Sequence, residues 1–378
     1  RPRPPRKGLT LGSLHIGQVV VWQVALLASV AALGLPVAWT AAIIALSVVA
    51  VVLTAVPLRG RWLYQWAGLG MRYAARGRSG TTKQRELDDL AAPVARGASL
   101  QTIEIDEQDY GLVSHATGYT AVLEAVKPLS SGQLASTVDL PDLDTLIPAY
   151  DPDEPPVSVQ VVVSTVPAPG LRGDDAVGLS YRELTEGLVP AQRRTWIAIQ
   201  ALHTPDVHSD SDMRKALINV LRRVERKLEK AGLSVHVLRK TDLHDEFGAL
   251  VDVMGGPQGD GAKYQERWDH WAVGQALHVT FRILNWPDLS NADGAGLIQS
   301  FATVPALSVT VTVAVSRESG RNELEAAVRV VVPDRATLSR AVDQMERIAV
   351  ASGAELQRMD GEHIFGVGAS VPLGGFAS

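Results

Sequence analysis

The chain has 378 residues and a formal net charge of −5, from 36 Lys and Arg against 41 Asp and Glu. This length accommodates about two soluble domains beside an apolar N-terminal part. The chain has no cysteine, which excludes disulfides, thiolate metal sites and cysteine nucleophiles. The basic residues crowd into the first 85 positions, so the remainder is more acidic than the whole. This distribution argues against a nucleic-acid-binding protein, whose folded domain would itself carry a basic face.

Two apolar runs near the N-terminus organise the chain. They cover Ile16–Leu33 and Val37–Val56, contain no Asp, Glu, Lys or Arg, and are joined by Gly34-Leu35-Pro36. A helix of about 20 apolar residues crosses the hydrocarbon core of a bilayer. Glycine and proline break a helix where the chain must reverse. Residues 16–56 are therefore predicted to form a transmembrane helical hairpin.

The flanking charges predict the orientation of this hairpin. Arginines and lysines stand before the first run, in the Pro-rich segment 1–15, and again after the second run, whereas the turn has no charge. Lys and Arg are retained on the cytoplasmic side, so both termini are predicted to be cytoplasmic at the inner (plasma) membrane. A cleaved signal peptide and the buried helical hairpin of a soluble protein are the alternatives. A signal peptide has a single apolar region followed by a cleavage site, whereas this chain has two apolar runs followed by arginines and lysines.

Three polar or amphipathic residues of the first run are candidates for contacts with another membrane helix. Gln18, Trp22 and Gln23 lie, with Ser29, on a loosely shared helical face. Polar and small side chains are typical of helix–helix interfaces in membranes. Tolerated, weakly polar residues without a specific contact are the alternative.

Residues 57–78 are predicted to form a juxtamembrane helix that lies in the membrane interface. Trp62, Trp66, Leu69 and Tyr73 recur at helical spacing. Rings at such positions enter the acyl boundary, and arginines beside them contact anionic lipid headgroups. The candidate headgroup contacts are Arg59, Arg61 and Arg72. The alternative is a helix that docks on a partner protein.

The remaining residues predict a cytoplasmic α+β region of two lobes. Residues 79–99 are expected to be a linker with a short helix at Lys83–Leu90, followed by a first lobe at 100–262 and a second at 263–378. Val157–Val166 and Arg193–Leu202 are β-branched or alternating runs typical of strands, and Asp210–Ala231 has the periodicity of an amphipathic helix. The second lobe has the element order β-α-β-β-α-β of a ferredoxin-like unit.

No catalytic motif is recognisable in the sequence. Nucleotide-binding glycine loops, the Gly-x-Ser-x-Gly elbow and the His-Glu-x-x-His motif are absent. The strongest metal candidate is the loop from His203 to Asp212, with Asp206, His208 and Asp210 between them. Capping of the following helix, by Asp210 or Ser211, explains the acidic residues without a metal.

Three further groups of residues have the same kind of structural explanation. Asp242, His244, Asp245 and Glu246 open a helix, and Trp268-Asp269-His270-Trp271 are expected to be a helical patch for lobe or partner packing. The glycines at 256, 259 and 261 lack the strand–helix junction of a phosphate site. The sequence therefore predicts no catalytic residue and no cofactor.

Several local motifs stand out in the sequence: His15-Ile16-Gly17-Gln18, Gly60-Arg61-Trp62-Leu63-Tyr64-Gln65-Trp66, Arg193-Arg194-Thr195-Trp196-Ile197-Ala198 and the C-terminal Phe365-Gly366-Val367-Gly368 with Pro372-Leu373-Gly374. These motifs resemble the EccE family, a membrane component of actinobacterial type VII (ESX) secretion systems. The resemblance extends over most of the chain, but residues 88–150 add little to it.

The resemblance implies a non-enzymatic structural subunit with two N-terminal spans and a cytoplasmic domain. Such a subunit lies at the periphery of an inner-membrane complex with EccB, EccC and EccD, in which the EccC ATPase supplies the energy. A membrane-anchored, metal-dependent enzyme that uses the His203–Asp212 loop is the competing hypothesis.

Overall fold

The computed structural model describes residues 10–11, 14–58, 61–77, 79–81, 98–105, 108–126, 143–148, 154–167, 180, 183–184, 190, 192–203, 209–251, 263–286, 292–318 and 321–375. These residues divide into two compact units, Arg1–Gly77 and Arg78–Ser378. The first unit contains the apolar runs and the second contains a large sheet.

The first unit is helical. Its helices are α1 (Ile16–Ala31), a 3-10 turn at Ala32–Gly34, α2 (Val37–Ala55) and α3 (Leu63–Ala75). Two pairs of very short strands accompany them, β1 (Thr10–Leu11) with β2 (Leu14–His15) and β3 (Pro57–Leu58) with β4 (Arg61–Trp62). Pro36 immediately precedes α2, where its missing N–H costs nothing. Two stretches, Gly17–Gly34 and Val37–Ala55, are long and apolar enough to cross a membrane.

The second unit is built on a 13-stranded sheet in which every pairing is antiparallel. Its strands are β5 (Ser79–Thr81), β6 (Ser99–Ile105), β7 (Gln108–His115), β8 (Gly118–Val126), β9 (Val157–Val166), β10 (Gln192–Leu202), β11 (Ser234–Val237), β12 (Lys263–Glu266), β13 (Trp271–Val273), β14 (Ala276–Asn285), β15 (Ser308–Glu318), β16 (Arg321–Val332) and β17 (Glu355–Arg358). Its helices are α4 (Leu143–Leu146), α5 (Asp210–Lys230), α6 (Lys240–Leu250), α7 (Ala292–Phe301), α8 (Arg335–Ala351) and α9 (His363–Ala369).

The same arrangement of strands occurs twice in this sheet. In the first half the neighbours run β11-β8-β10-β9, and in the second half they run β17-β14-β16-β15. A hairpin extends each half, β6 with β7 beside β8 and β12 with β13 beside β14. The halves meet where β9 pairs with β15, with Val161 opposite Val313. The sheet is therefore continuous from one half to the other.

Alternation along the strands gives the sheet two buried faces. Val159, Val161 and Val163 pack with α5 on one face, whereas Val162 belongs to the cluster on the other. The helix α5 buries the residues that its periodicity predicts: Met213, Leu217, Val220, Leu221, Val224 and Leu228.

The opposite face is covered by different elements. There Phe247 of α6 packs with Trp196 and Trp271. Val367 and Leu373 of the C-terminal segment, residues 363–375, belong to the same cluster. The C-terminal segment is thus part of the core.

Several predicted elements differ from the observed ones. Trp268 to Trp271 were expected to be helical but form the turn and the start of β13, because Tyr264 and Trp271 belong to paired strands. The juxtamembrane helix begins at Leu63 rather than at residue 57, since the preceding residues pair as β3 and β4. The expected linker helix at 83–90 and the glycine loop at 256–261 lie outside the described residues.

Candidate functional site

Some polar side chains of the hairpin form hydrogen bonds that connect its two helices. Gln18 Nε2 donates to the Thr54 carbonyl over 2.8 Å, and Trp22 Nε1 donates to Thr54 Oγ1 over 3.0 Å. At the other end, Thr40 Oγ1 donates to the Ala32 carbonyl over 2.7 Å. Gln18 and Trp22 therefore face α2, whereas Gln23 is exposed on the other side of α1.

Strand β4 and helix α3 carry the predicted interfacial residues that the structure describes, in a compact arrangement. Trp66 Nε1 donates to the Leu58 carbonyl over 2.9 Å, and the Arg61 guanidinium lies 5.6 Å from the centre of the Trp66 ring. The side chain of Gln65 accepts from the Trp62 N–H over 3.1 Å at the helix start. Trp62 and Trp66 are half-buried and Arg72 is exposed, while Arg59 lies outside the described residues.

The described part of the metal candidate caps a helix. The N-cap of α5 is Ser209, not Asp210 or Ser211, and its Oγ accepts from the Asp212 N–H over 3.2 Å. Asp206 and His208 lie outside the described residues, whereas the His203 ring packs 5.8 Å from that of Tyr119. No cluster of metal-ligating side chains occurs among the residues with described positions.

The second acidic cluster also has structural partners. Asp242, in the first turn of α6, accepts from the backbone N–H of Arg239 over 3.2 Å. Arg194 on β10 forms ion pairs with Glu246, at 2.5 Å, and with Glu124, at 2.7 Å. Burial raises the pKa of Glu246, although Arg194 acts in the opposite direction. Through Arg194, the two glutamates therefore link α6 to β10 and β8.

A set of buried polar side chains on the sheet, which the sequence did not predict, binds the C-terminal segment. Gln160, fully buried on β9, donates through Nε2 to the carbonyls of Ala369, at 2.7 Å, and Val371, at 3.1 Å. Its Oε1 accepts from the Gly374 N–H over 2.8 Å, and its Nε2 also donates to Thr312 of β15. One side chain thus joins β9, β15 and the C-terminal segment.

Residues of β8 to β10 extend this set. Thr120 Oγ1 donates to the Leu373 carbonyl over 3.1 Å, and Ser158 Oγ donates to the Gly374 carbonyl over 3.3 Å. Gln200 Nε2 donates to Thr117 Oγ1 over 3.0 Å. We call the set the clasp; its members are His115, Thr117, Thr120, Ser158, Gln160, Gln200 and Thr312. Buried hydrogen bonds of this kind specify one arrangement of a core.

A second buried polar group lies under α9 in the other half of the sheet. Asp360 receives a bidentate pair of bonds from Arg358, at 2.6 and 3.0 Å, and lies 3.8 Å from His363 Nε2. His363 Nδ1 accepts from the Thr280 N–H over 3.3 Å. Arg329 Nη1 lies 3.3 Å from His278 Nδ1, and both residues are fully buried.

Burial shifts the pKa values of this group. It lowers the pKa of His278 well below its ordinary value, and Arg329 and His363 lower it further. Burial also lowers the pKa of His363, although Asp360 acts in the opposite direction. Burial by itself raises the pKa of Asp360, but the bonds from His363 and Arg358 outweigh it and the pKa is lowered. Neutral histidines and a paired carboxylate are the result, which suits a stabilising role in the core.

The class defined by these features is an α/β protein with an apolar helical hairpin and a sheet domain. Residues 189–283 match a family model described as "Putative type VII ESX secretion system translocon, EccE". The match extends from the start of β10 through most of β14. The resemblance carried by the sequence motifs is thereby confirmed over this range. The family model describes a translocon component of a type VII secretion system, and the two apolar helices are long enough to cross a membrane.

The other comparisons add no function. No curated protein matches the chain. Among solved structures, a crystal structure described as a "Putative monooxygenase" from Fusobacterium nucleatum subsp. nucleatum is similar, with 11% identity over 54% of this chain and 93% of that one. Its TM-score of 0.17 is too low to carry an argument about fold or activity.

Proposed function

We propose that this protein is a non-enzymatic structural subunit of the inner-membrane complex of a type VII secretion system. The match of residues 189–283 to the EccE family carries the proposal. The buried polar groups of the sheet support a structural role, because the clasp side chains bond to the protein's own backbone. Energy for transport would come from another subunit, an EccC-like ATPase.

The hairpin α1–α2 is proposed to cross the membrane twice, with both ends in the cytoplasm. The apolar stretches and the uncharged turn support two crossings, and the arginines on both flanks support this orientation. Of the flanking residues, Arg59, Arg61 and Arg72 are proposed to contact anionic headgroups, and Trp62 and Trp66 to lie at the acyl boundary. EccB-, EccC- and EccD-like subunits are the proposed protein partners.

Each half of the sheet is proposed to be a lobe of ferredoxin-like topology, over 100–262 and 263–378. In that topology a β-α-β-β-α-β chain has its fourth strand beside the first, then the third, then the second. The neighbours β17-β14-β16-β15 follow this order, and so do β11-β8-β10-β9. Pairing of β9 with β15 would make the two lobes a single rigid platform.

Removal of the gene in the source cell tests the proposal. We expect type VII substrates to disappear from the medium while they remain in the cell, and the full-length chain to restore secretion. The chain without residues 16–56 should accumulate in the cell but fail to restore secretion, because it lacks its anchor. Normal secretion without the chain, or full rescue by the anchorless form, would refute the proposed role.

A further inference from the structure

Helix α5 carries a row of basic side chains on the side that faces away from the sheet. At about 100° per residue, five exposed Lys and Arg residues fall within about 100° around the helix axis. We call them the basic row; they are Lys215, Arg222, Arg223, Arg226 and Lys230. The other side of α5 is the buried apolar stripe that packs on β8 and β10. The basic row therefore lies on the outer surface of the sheet domain.

The acidic residues of α5 lie mainly at its two ends. Asp210 and Asp212 are in the first turn, where they favour the helix N-terminus, and Glu229 is in the last turn. Lys215 Nζ lies 3.9 Å from Asp212 Oδ1, an exposed pair that contributes little to stability. Glu225 is half-buried beside the row. The outer side of α5 between positions 215 and 226 therefore has no exposed acidic residue.

The corresponding helix of the other half of the sheet has a different distribution of charge. Helix α8 follows the third strand of its half, as α5 does. Its exposed Arg340 and Arg347 alternate with the exposed Asp343 and Glu346. Like charges spaced one turn apart destabilise a helix slightly, so helix stability does not explain the basic row. The row is thus a particular feature of α5.

The basic row is a local exception in an acidic domain. Residues 1–77 contain 8 of the 36 Lys and Arg and none of the 41 Asp and Glu, so residues 78–378 have 28 basic and 41 acidic residues and a net charge of −13. Helix α5 alone has seven basic and four acidic residues, a net charge of +3. An anionic surface is therefore repelled by the domain as a whole and attracted at this helix.

The character of the outer side of α5 favours a lipid surface over a protein as its partner. Protein interfaces have an apolar or aromatic centre, whereas α5, all of whose residues are described, exposes no large hydrophobic side chain. Long basic side chains along one straight helix can reach phosphate headgroups that lie in a plane. The proposed interfacial helix is also near, since three residues separate the end of α3 at Ala75 from the start of β5 at Ser79.

We propose that the basic row binds the anionic headgroups of the membrane that the hairpin crosses. The proposal rests on the proposed membrane hairpin, which keeps the sheet domain beside the cytoplasmic leaflet and so raises the local concentration of headgroups. Each Lys or Arg close to an anionic membrane strengthens binding about fivefold. The basic row would thus orient the sheet domain with the outer side of α5 toward the lipid.

Fluorescence quenching of the full-length chain in nanodiscs tests this contact. The chain has no cysteine, so Asn219→Cys, in the middle of the basic row, provides a single thiol for a fluorophore. Ser339→Cys, exposed on α8, is the matched control. Adding phosphatidylglycerol to phosphatidylcholine nanodiscs should increase quenching at position 219 by a lipid with a nitroxide on its headgroup, and about 0.5 M NaCl should reverse the increase. Quenching at position 339 should change little.

The role of charge is tested by adding two further substitutions to Asn219→Cys. Arg222→Gln with Arg226→Gln should lower the equilibrium constant for the contact about fivefold per arginine. Arg340→Gln with Arg347→Gln removes the same charge from α8 and should leave the contact unchanged. Quenching at position 219 that does not depend on phosphatidylglycerol, or that falls equally in the two double variants, would overturn the proposal. So would a cross-linker at position 219 that captures an acidic protein instead of lipid in native membranes.

Insertion into the nanodiscs separates failure of this inference from failure of the proposed function. A chain that stays in nanodiscs after removal of detergent, but shows no dependence on phosphatidylglycerol, overturns the contact of α5 alone. A chain that does not insert is not anchored by a hairpin, and that result overturns both.

Discussion

At the scale of single residues, Gln160 has the most connections of the clasp. Its amide bonds to Thr312 and to three backbone groups of the C-terminal segment. We expect Gln160→Leu to lower the free energy of unfolding by about 3 kcal/mol, because it leaves buried carbonyls and an N–H without partners. Denaturant unfolding of the detergent-purified protein measures the change.

Gln265→Leu is the matched control for that substitution. Gln265 lies on β12 with an exposed side chain, so its replacement should change stability by no more than about 0.5 kcal/mol. Equal effects of the two substitutions would show that the bonds of Gln160 contribute nothing particular.

The buried histidines predict how stability depends on pH. Burial lowers the pKa values of His278, His363 and His270 in the folded state. Below about pH 6.5 these histidines bind protons in the unfolded chain but stay neutral in the folded chain. Each such proton lowers the free energy of unfolding by about 1.4 kcal/mol per pH unit. The free energy of unfolding should therefore fall as pH is lowered from about 7.5 to about 5.5.

Thermal unfolding at several pH values across this window measures the slope. His278→Gln removes one of the protons taken up and should make the slope shallower. Burial raises the pKa of Glu325, which has the opposite effect on stability, but mainly at lower pH. Stability that stays level or rises toward pH 5.5 would contradict the assignment of neutral buried histidines.

The sequence contained a signal for the clasp that the predictions did not use. Ser158 and Gln160 are polar residues within the β-branched run Val157–Val166, and their spacing of two places them on one face of the strand. The identity of their partners was not predictable, because Ala369 and Gly374 lie more than 200 positions away. Only the folded sheet brings these residues together.

At the scale of elements, the C-terminal segment fits its site because it has glycine where it approaches the sheet. Gly374 has a φ of +102°, and a Cβ atom there would lie 2.1 Å from Gln200 Oε1. We expect Gly374→Ala to destabilise the segment by more than about 1 kcal/mol, since the backbone and the space both disfavour a side chain. Hydrogen exchange over residues 363–375 should report faster opening.

Gly296→Ala provides the comparison for this substitution. Gly296 lies in α7, and nothing approaches within 4 Å of a Cβ built there. The alanine should leave exchange in the C-terminal segment unchanged and favour the helix slightly. Unaltered exchange with Gly374→Ala as well would contradict the tight fit.

Helix α3 gives a prediction for the membrane interface. Trp62→Ala together with Trp66→Ala should leave the sheet domain folded, because both residues belong to the other compact unit. The double variant should associate less firmly with membranes or assemble less well with partner subunits, since it lacks the two rings that are proposed to lie at the acyl boundary. Detergent partitioning and native-gel assembly measure these effects.

Tyr64→Ala is the control on α3, because its ring is exposed and lies about 200° around the helix axis from Trp66. It should retain the partitioning of the parent chain. Partitioning and assembly of the double variant that equal those of the parent would refute the role of the two tryptophans.

Strong periodicity made some elements predictable, whereas elements with a low intrinsic propensity for their structure were missed. Val157–Val166 forms a strand with the predicted bounds, and α5 buries its predicted stripe, because long patterned segments fix both structure and face. The helix α9 was not predicted, since two glycines in His363–Ala369 disfavour a helix in isolation. Packing overrides that preference: Gly366 approaches Thr280 so closely that a Cβ atom would lie 2.6 Å from its side chain.

At the scale of the whole molecule, the chain combines an apolar hairpin with a sheet that runs through both of its repeated halves. The hairpin was predictable because charges are absent over two long runs. The continuity of the sheet was not predictable, because pairing of β9 with β15 joins residues about 150 positions apart along the chain. The clasp follows the same rule, because its hydrogen bonds join residues that are far apart along the chain.

The central claim is that this chain works as a subunit of a large membrane complex, and native-gel sizing of a mild-detergent membrane extract tests it most directly. Mass spectrometry of the band that contains the chain identifies its partners. We predict a very large band that also contains an EccC-like ATPase and EccB- and EccD-like membrane subunits. A chain that migrates alone or as a small homo-oligomer would contradict the account.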